Sequence, residues 1–159
     1  MNPIVGAEPA DAASQTFYRE QVAKIVTFFE TITPQNVTRI AEFYAPDAYF
    51  KDPFNEVRGH AAIELIFSHM FVALEAPRFV VTSKVVDGNT CFLSWDFKFY
   101  FKSYDKTTAQ IVRGGSHLML DANGKITAHR DYWDAAEELY EKLPVVGSLM
   151  RWLKKRANT

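Results

Sequence analysis

Apolar residues in the first part of the chain recur at helical spacing. Tyr18, Val22, Ile25, Phe29 and Ile32 share one face, which predicts a first amphipathic helix from Thr16, a residue suited to the N-cap. Thr33-Pro34 restarts the chain, a capping hydroxyl followed by proline at the first helical position, and Val37, Ile40, Ala41 and Tyr44 mark a second helical face. Ala48 to Lys51 reads as a short strand ending at Asp52-Pro53, because proline removes a ladder donor and restricts its predecessor. Glu56 to Arg58 pairs back on it as a hairpin. Gly59 opens a third helix with Ile63, Phe67, Met70, Phe71 and Leu74 on one side, and Pro77 stops it.

Beyond Pro77 the period changes to two. Phe79 to Val86 and Thr90 to Phe101 flank Asp87-Gly88-Asn89, a hairpin signal, and Ser103 to Thr107 turns the chain into Ala109 to Leu120. Asp121 to Gly124 makes another turn into a last strand, which runs to a capping box at Asp134 and Glu137. Helices followed by long strands predict an α+β domain, a cone-like curved antiparallel sheet wrapped around three N-terminal helices and leaving one interior pocket. That domain is expected over residues 16–143, after an aperiodic N-terminal arm at 1–15 and before a C-terminal helix at 144–159. In that last segment Val145, Val146, Leu149, Met150, Trp152 and Leu153 oppose Arg151, Lys154 and Lys155. Such a basic amphipathic helix either lies on an anionic membrane surface or, the favoured reading, packs over the cone or a partner subunit.

Composition narrows the classes. A chain of 159 residues, 48% apolar with thirteen phenylalanines, fits one domain around a greasy cavity. A net charge of −1 gives no global field for nucleic acid, so no such partner is expected. Neither a leader pattern nor an apolar run of membrane-spanning length is present in the sequence, and the cytoplasm is the expected location. Cys91 has no second cysteine to pair with and is read as a buried, inert thiol. His60 and His69 stand nine apart on one helix, and His117 and His129 lack close ligand spacing, so neither metal nor other cofactor is expected.

The candidate chemistry centres on Asp131, a carboxylate within a strand that should be interior. Alternation places Thr127, His129, Asp131 and Trp133 on one face and Ile126, Ala128, Arg130 and Tyr132 on the other. If the first face is interior, desolvation favours the neutral acid and raises its pKa towards a value useful for proton transfer. The alternative is a carboxylate that holds the sheet by pairing with Arg113 or Arg130. His129 would join Asp131 as acid, base or donor, and Tyr49 and Trp133 would shape the cavity or fill its aromatic core. In the strand from Thr90, Leu93, Trp95, Phe97, Phe99 and Phe101 form one row and Ser94, Asp96, Lys98, Tyr100 and Lys102 the other. Asp96 lies outside if the apolar row fills the cone, and inside if that row is a dimer seam.

Three stretches carry a resemblance to a known family: His129-Arg-Asp-Tyr-Trp-Asp134, Tyr44-Ala-Pro-Asp-Ala-Tyr-Phe-Lys-Asp-Pro53, and Gly59-His-Ala-Ala-Ile63. Together they resemble the nuclear transport factor two-like superfamily, which includes SnoaL-like polyketide cyclases, ketosteroid isomerases and limonene epoxide hydrolase. The resemblance covers about Phe17 to Leu143 and implies the cone fold. It implies Asp131 as the working base and places Asp52 where ketosteroid isomerases carry theirs. Phe28 and Ser116 then occupy the positions of the two isomerase oxyanion donors, which argues against authentic steroid isomerisation. Asp96 matches one acid of the epoxide hydrolase, with Ser94 in place of its arginine. A homodimer through the outer sheet face is also implied, with Trp95, Phe97 and Phe99 as seam residues and His117 turned outward. The function expected is acid/base chemistry on an apolar carbonyl, polyketide, epoxide or lipid-like molecule, with Asp131 as base and Asp52 or His129 assisting. Tyr49, Phe28, Asp96, Ser116 and Trp133 would surround the ligand. A second reading is a non-catalytic binding protein, supported by the missing isomerase donors; a third is a lipid-handling protein using its tail.

Overall fold

The computed structural model describes residues 11–102 and 106–138. The expected tail helix, residues 1–10 of the arm and part of the turn after the fourth strand therefore lie outside the described residues. Helix α1 spans Ala12–Thr31 and starts earlier than expected, because the Asp11 carboxylate accepts from Ser14 N at 2.8 Å and is the cap. Thr16 is already helical, its hydroxyl donating to the Ala12 carbonyl at 3.0 Å. At Thr33-Pro34 the connection is closed by Asn36, whose side chain accepts from Thr33 N and donates to Thr31 O. A 3₁₀ turn, Val37–Arg39, and one turn of α2, Ile40–Phe43, follow. Tyr44, expected on a helical face, instead begins β1 (Tyr44–Lys51), and β2 (Glu56–Arg58) pairs back on it as expected.

Helix α3, His60–Ala73, ends before Pro77, and the chain passes directly into β3, Leu74–Asp87. Pro77 is accommodated there by an irregularity between Glu75 and Arg78, with Ala76 at φ 48°, in a strand at the sheet's edge. Strands β4 (Thr90–Phe101), β5 (Gln110–Leu120) and β6 (Ile126–Trp133) complete the sheet, and α4 (Ala135–Glu138) leaves it. The strand order is β2-β1-β6-β5-β4-β3. All neighbours are antiparallel except β1 and β6, which run parallel, so the sheet is mixed rather than wholly antiparallel. No helix among the described residues is long and apolar enough to cross a membrane.

The open sheet curls around the helices. Its inner face sets Phe50, Leu93, Trp95 and Leu118 against Val22, Ile25 and Phe29 of α1 and Ile63 and Phe67 of α3. Burial of each large apolar side chain contributes roughly 1.5–3 kcal/mol. The apolar row of β4 thus faces the interior, and Trp95, Phe97 and Phe99 are not available as an outer seam. Asp96 is correspondingly outside, 3.9 Å from Arg113 across the ladder. Tyr49 is also on the outer face, packed with Met119 and Ala128 and donating to Glu56 at 2.8 Å, and it does not shape the cavity. Cys91 is buried, and burial pushes its thiol up to about 12, well outside the range of a nucleophile.

One irregularity sets the orientation of the last strand. Leu120 pairs with Ile126 and Met119 with Ala128, so Thr127 is the extra residue of a bulge, its hydroxyl donating to Met119 O at 3.2 Å. Ile126, expected outside, therefore enters the core, while His129, Asp131 and Trp133 keep the inward face that alternation assigned. Beside them, Gly114 of β5 leaves room for the Trp95 ring: a Cβ there would lie 2.5 Å from Trp95 Cη2 and 2.8 Å from Tyr132 O. Gly114→Ala is expected to lower stability by about 1–3 kcal/mol through overpacking. The measurement is the urea midpoint at constant slope, and an unchanged midpoint would show that the indole is not wedged in place.

Candidate active site

Four neighbouring strands, β1, β6, β5 and β4, assemble a chain of hydrogen bonds around Asp131. Ser116 of β5 stands opposite Asp131 of β6, and its Oγ donates to Asp131 Oδ1 at 2.5 Å. Trp95, reaching across from β4, donates Nε1–H to the same Ser116 Oγ at 2.9 Å. His129 Nε2 lies 2.7 Å from Asp131 Oδ1, and His129 Nδ1 lies 2.6 Å from the hydroxyl of Tyr44, at the start of β1.

The protons in this chain can be placed by elimination. An indole N–H only donates, so Ser116 must accept from Trp95 and give its own hydrogen to Asp131. The Asp131 carboxylate only accepts, so Nε2 of His129 carries the hydrogen between them, and Nδ1 of the neutral ring accepts from the Tyr44 hydroxyl, whose proton is held by burial and by the charge of Asp131. His129 is thereby fixed as the Nε2–H tautomer and donates to Asp131. Asp131 Oδ1 takes two hydrogen bonds. Oδ2 accepts none from the described residues.

Around the acid is an apolar enclosure. A tight recess of about 20 Å³ is lined by Phe29, Phe67, Phe79, Val81, Trp95, Ser116, His129 and Asp131. It shares Phe67, Phe79, Trp95 and Asp131 with a chamber of about 390 Å³ whose walls also include Phe97, Phe99, Met70 and Trp133. Neither arginine proposed as a holding partner reaches the acid. Arg113 lies near Asp96, and Arg130 stacks on Tyr132 with its guanidinium 4.9 Å from the ring centre.

The remaining sequence candidates divide between this chamber and other parts of the fold. Trp133 lines it, with Phe54 edge-on at 5.4 Å. Asp52 borders it, but its carboxylate is engaged by Phe54 N, Asn55 N and the Asn55 amide and closes the turn after β1. Phe28 is absent from the chamber. It stacks on Phe43 at 4.3 Å beside a groove between α1 and α2, and Phe29 takes the place next to His129, at 5.7 Å. Asp96 and Tyr49 are on the far side of the sheet. Sequence reading missed Tyr44, Trp95 and His69 as site residues. A signal existed for the first, since a core tyrosine needs a partner for its hydroxyl. His69 of α3 lines the chamber and makes no hydrogen bond among the described residues. Among the described residues no three His, Cys, Asp or Glu side chains converge as metal ligands.

Residues 25–129 match the family model of the SnoaL-like domain. The chain belongs to the SnoaL-like family. The SnoaL-like chain is similar to the steroid Δ-isomerase of Nocardioides simplex, with 28% identity over 116 residues that cover 72% of this chain and 89% of that protein. Among solved structures it resembles a hypothetical protein with a ketosteroid isomerase-like fold from Catenulispora acidiphila, in complex with trimethylamine. The TM-score is 0.64 at 16% identity, covering 76% of this chain and 89% of that one. It also resembles an epoxide hydrolase of the limonene-hydrolase type from M. tuberculosis, with TM-score 0.61 at 14% identity, covering 78% and 87%. At those identities the structural matches establish the fold alone.

The hydrogen-bond chain makes a testable statement about His129. Imidazole ¹⁵N shifts at neutral pH are expected to show a protonated Nε2 and an unprotonated Nδ1, and Tyr44→Phe should remove that preference. A protonated Nδ1 in the unmodified protein would reverse the donor order from Tyr44 to Asp131.

Proposed function

We propose that this SnoaL-like protein transfers protons on an apolar small molecule bound in the chamber, with Asp131 as the general base. The observation that carries the reading is the division of labour within one carboxylate. Oδ1 is anchored by Ser116 and His129, and Oδ2 is left for a reacting hydrogen. A base held this way approaches the substrate in a fixed orientation, which is where much of the advantage of an enclosed site originates. Oδ2 would take a proton from carbon beside a carbonyl, or from water attacking an epoxide, and return it to the product. His129 then acts by positioning Asp131, because its Nδ1 is occupied by Tyr44. A developing enolate oxygen would find its donor in His69, since Trp95 and Ser116 are spent on the acid's own support. Similarity to a steroid Δ-isomerase supports enolisable ketones as the first compounds to try. Phe28 and Ser116, in place of the usual isomerase donors, favour a carbonyl substrate other than that enzyme's. A cytoplasmic location accords with this reading.

Asp131→Asn, assayed against enolisable ketones, β,γ-unsaturated ketosteroids and epoxides, is expected to cost about 10²–10⁴-fold in turnover. Binding of an unreactive apolar ligand, followed through Trp95 and Trp133 fluorescence, should be retained. Turnover surviving within a few-fold would remove Asp131 from the chemistry, whereas retained binding without turnover in the parent protein would make the chamber a carrier site.

The same reading includes a homodimer through the outer sheet face, centred on β3 and β4. Val85 and Phe92 are cross-strand partners there, 63% and 45% exposed, with His117 beside Phe92. Phe92→Glu is expected to shift the sedimentation coefficient from dimer to monomer at micromolar concentration. A parent protein that already sediments as a monomer would refute the dimer.

A further inference from the structure

The acid is reached from two sides. Besides the aromatic chamber, Asp131 borders an open groove of about 580 Å³ lined by Lys51, Asp52, Pro53, Arg130, Asp131, Tyr132, Trp133 and Asp134. Its origin is the unequal length of two strands. The β1–β6 pairing ends at Lys51 opposite Arg130, and β6 continues to Trp133, so beyond Arg130 its edge has no strand beside it. Asp52, Asp131 and Trp133 belong to both the groove and the chamber, which makes them adjoining parts of one site.

The charges of the groove are satisfied unequally. Lys51 is neutralised by Glu56 at 2.5 Å. The carboxylate of Asp52 is engaged by the amides of its own turn, and that of Asp134 accepts from Glu137 N at 3.0 Å. Arg130 has no carboxylate within 4 Å among the described residues, and its guanidinium stacks on Tyr132 with its donor edge unspent. A planar guanidinium held by an aromatic ring presents a fork of donors that matches a carboxylate.

We propose that the ligand of this site is an amphipathic acid, its apolar body in the aromatic chamber and its carboxylate on Arg130 in the groove. The proposal deepens the reading of the chamber as the ligand site, and it is independent of whether Asp131 catalyses anything. Alternation puts Arg130 and Asp131 on opposite faces of one strand, so the anion is held outside the enclosure while the body passes the strand end to reach Oδ2. The arrangement orients the ligand with one end fixed, and it keeps its charge away from the carboxylate of Asp131.

The probes are 1-naphthaleneacetate and its methyl ester, which share one apolar body and differ in charge. Binding is followed by tryptophan fluorescence and by calorimetry at low and high salt. The acid is expected to bind roughly tenfold more tightly than the ester at low salt, and added salt should erase the difference. Arg130→Gln should reduce the acid to the level of the ester and leave the ester unchanged, and Arg130→Lys should restore part of the preference. Equal affinity of acid and ester, discrimination that survives Arg130→Gln, or no binding of either would overturn the proposal. Asp131→Asn should preserve the discrimination, so a site that selects the acid without any turnover would fail the base assignment and uphold this one.

Discussion

A carboxylate cannot be enclosed by phenylalanine and tryptophan rings unless something donates to it. Asp131 meets that constraint with no lysine or arginine at hand. Its support is instead a line of side chains that hand donors inward, from Tyr44 and from Trp95, through His129 and Ser116, to a single oxygen. Each member is itself buried, so each must be satisfied for the next to be tolerable, and in a low-dielectric interior such bonds strengthen one another. The rest of the cone can be read as what this line requires: Gly114 to admit the indole, Phe29 and Phe50 against the imidazole, and the bulge at Thr127 below it.

Much of the scaffold was legible because it depends on local periodicity. The α1 face, the hairpin at Gly88, the division of β4 into two rows and the shared face of His129, Asp131 and Trp133 all follow from spacing. The failures have a common cause in contacts between distant parts of the chain. Tyr44 reads as the end of a helix until β6 is available to pair with it, and the parallel β1–β6 pairing has no local signature. Which row of β4 faces the helices is a global choice, so Asp96 and the aromatic row could not be assigned until the sheet was closed. Tyr49 and Phe28 were each one position from the residue that faces inward, Phe50 and Phe29. The irregularity in β1 accounts for Tyr49, whereas Phe28 was set by the resemblance and not by the helical face, which already held Phe29.

Asp52 illustrates how one residue type can serve two ends at equivalent places in a fold. Its position suggests a base, but four donor contacts from its own turn make it a latch for the loop bordering the chamber. Asp131 has only two, both on one oxygen. The two carboxylates differ in how many lone pairs the protein has already used.

Tyr44 and His129 are 85 residues apart in the chain and meet only where β1 lies parallel to β6. Joining segments so far apart carries a large loop-closure entropy and belongs to the slow part of folding, since hairpins such as β3–β4 close over much shorter loops. The carboxylate's full set of donors therefore arrives only with the closure of the sheet. A partly folded chain holding only the β3–β6 meander would carry Trp95, Ser116, His129 and Asp131 without Tyr44 to set the imidazole, so the acid's complete support and the completed fold appear in the same step.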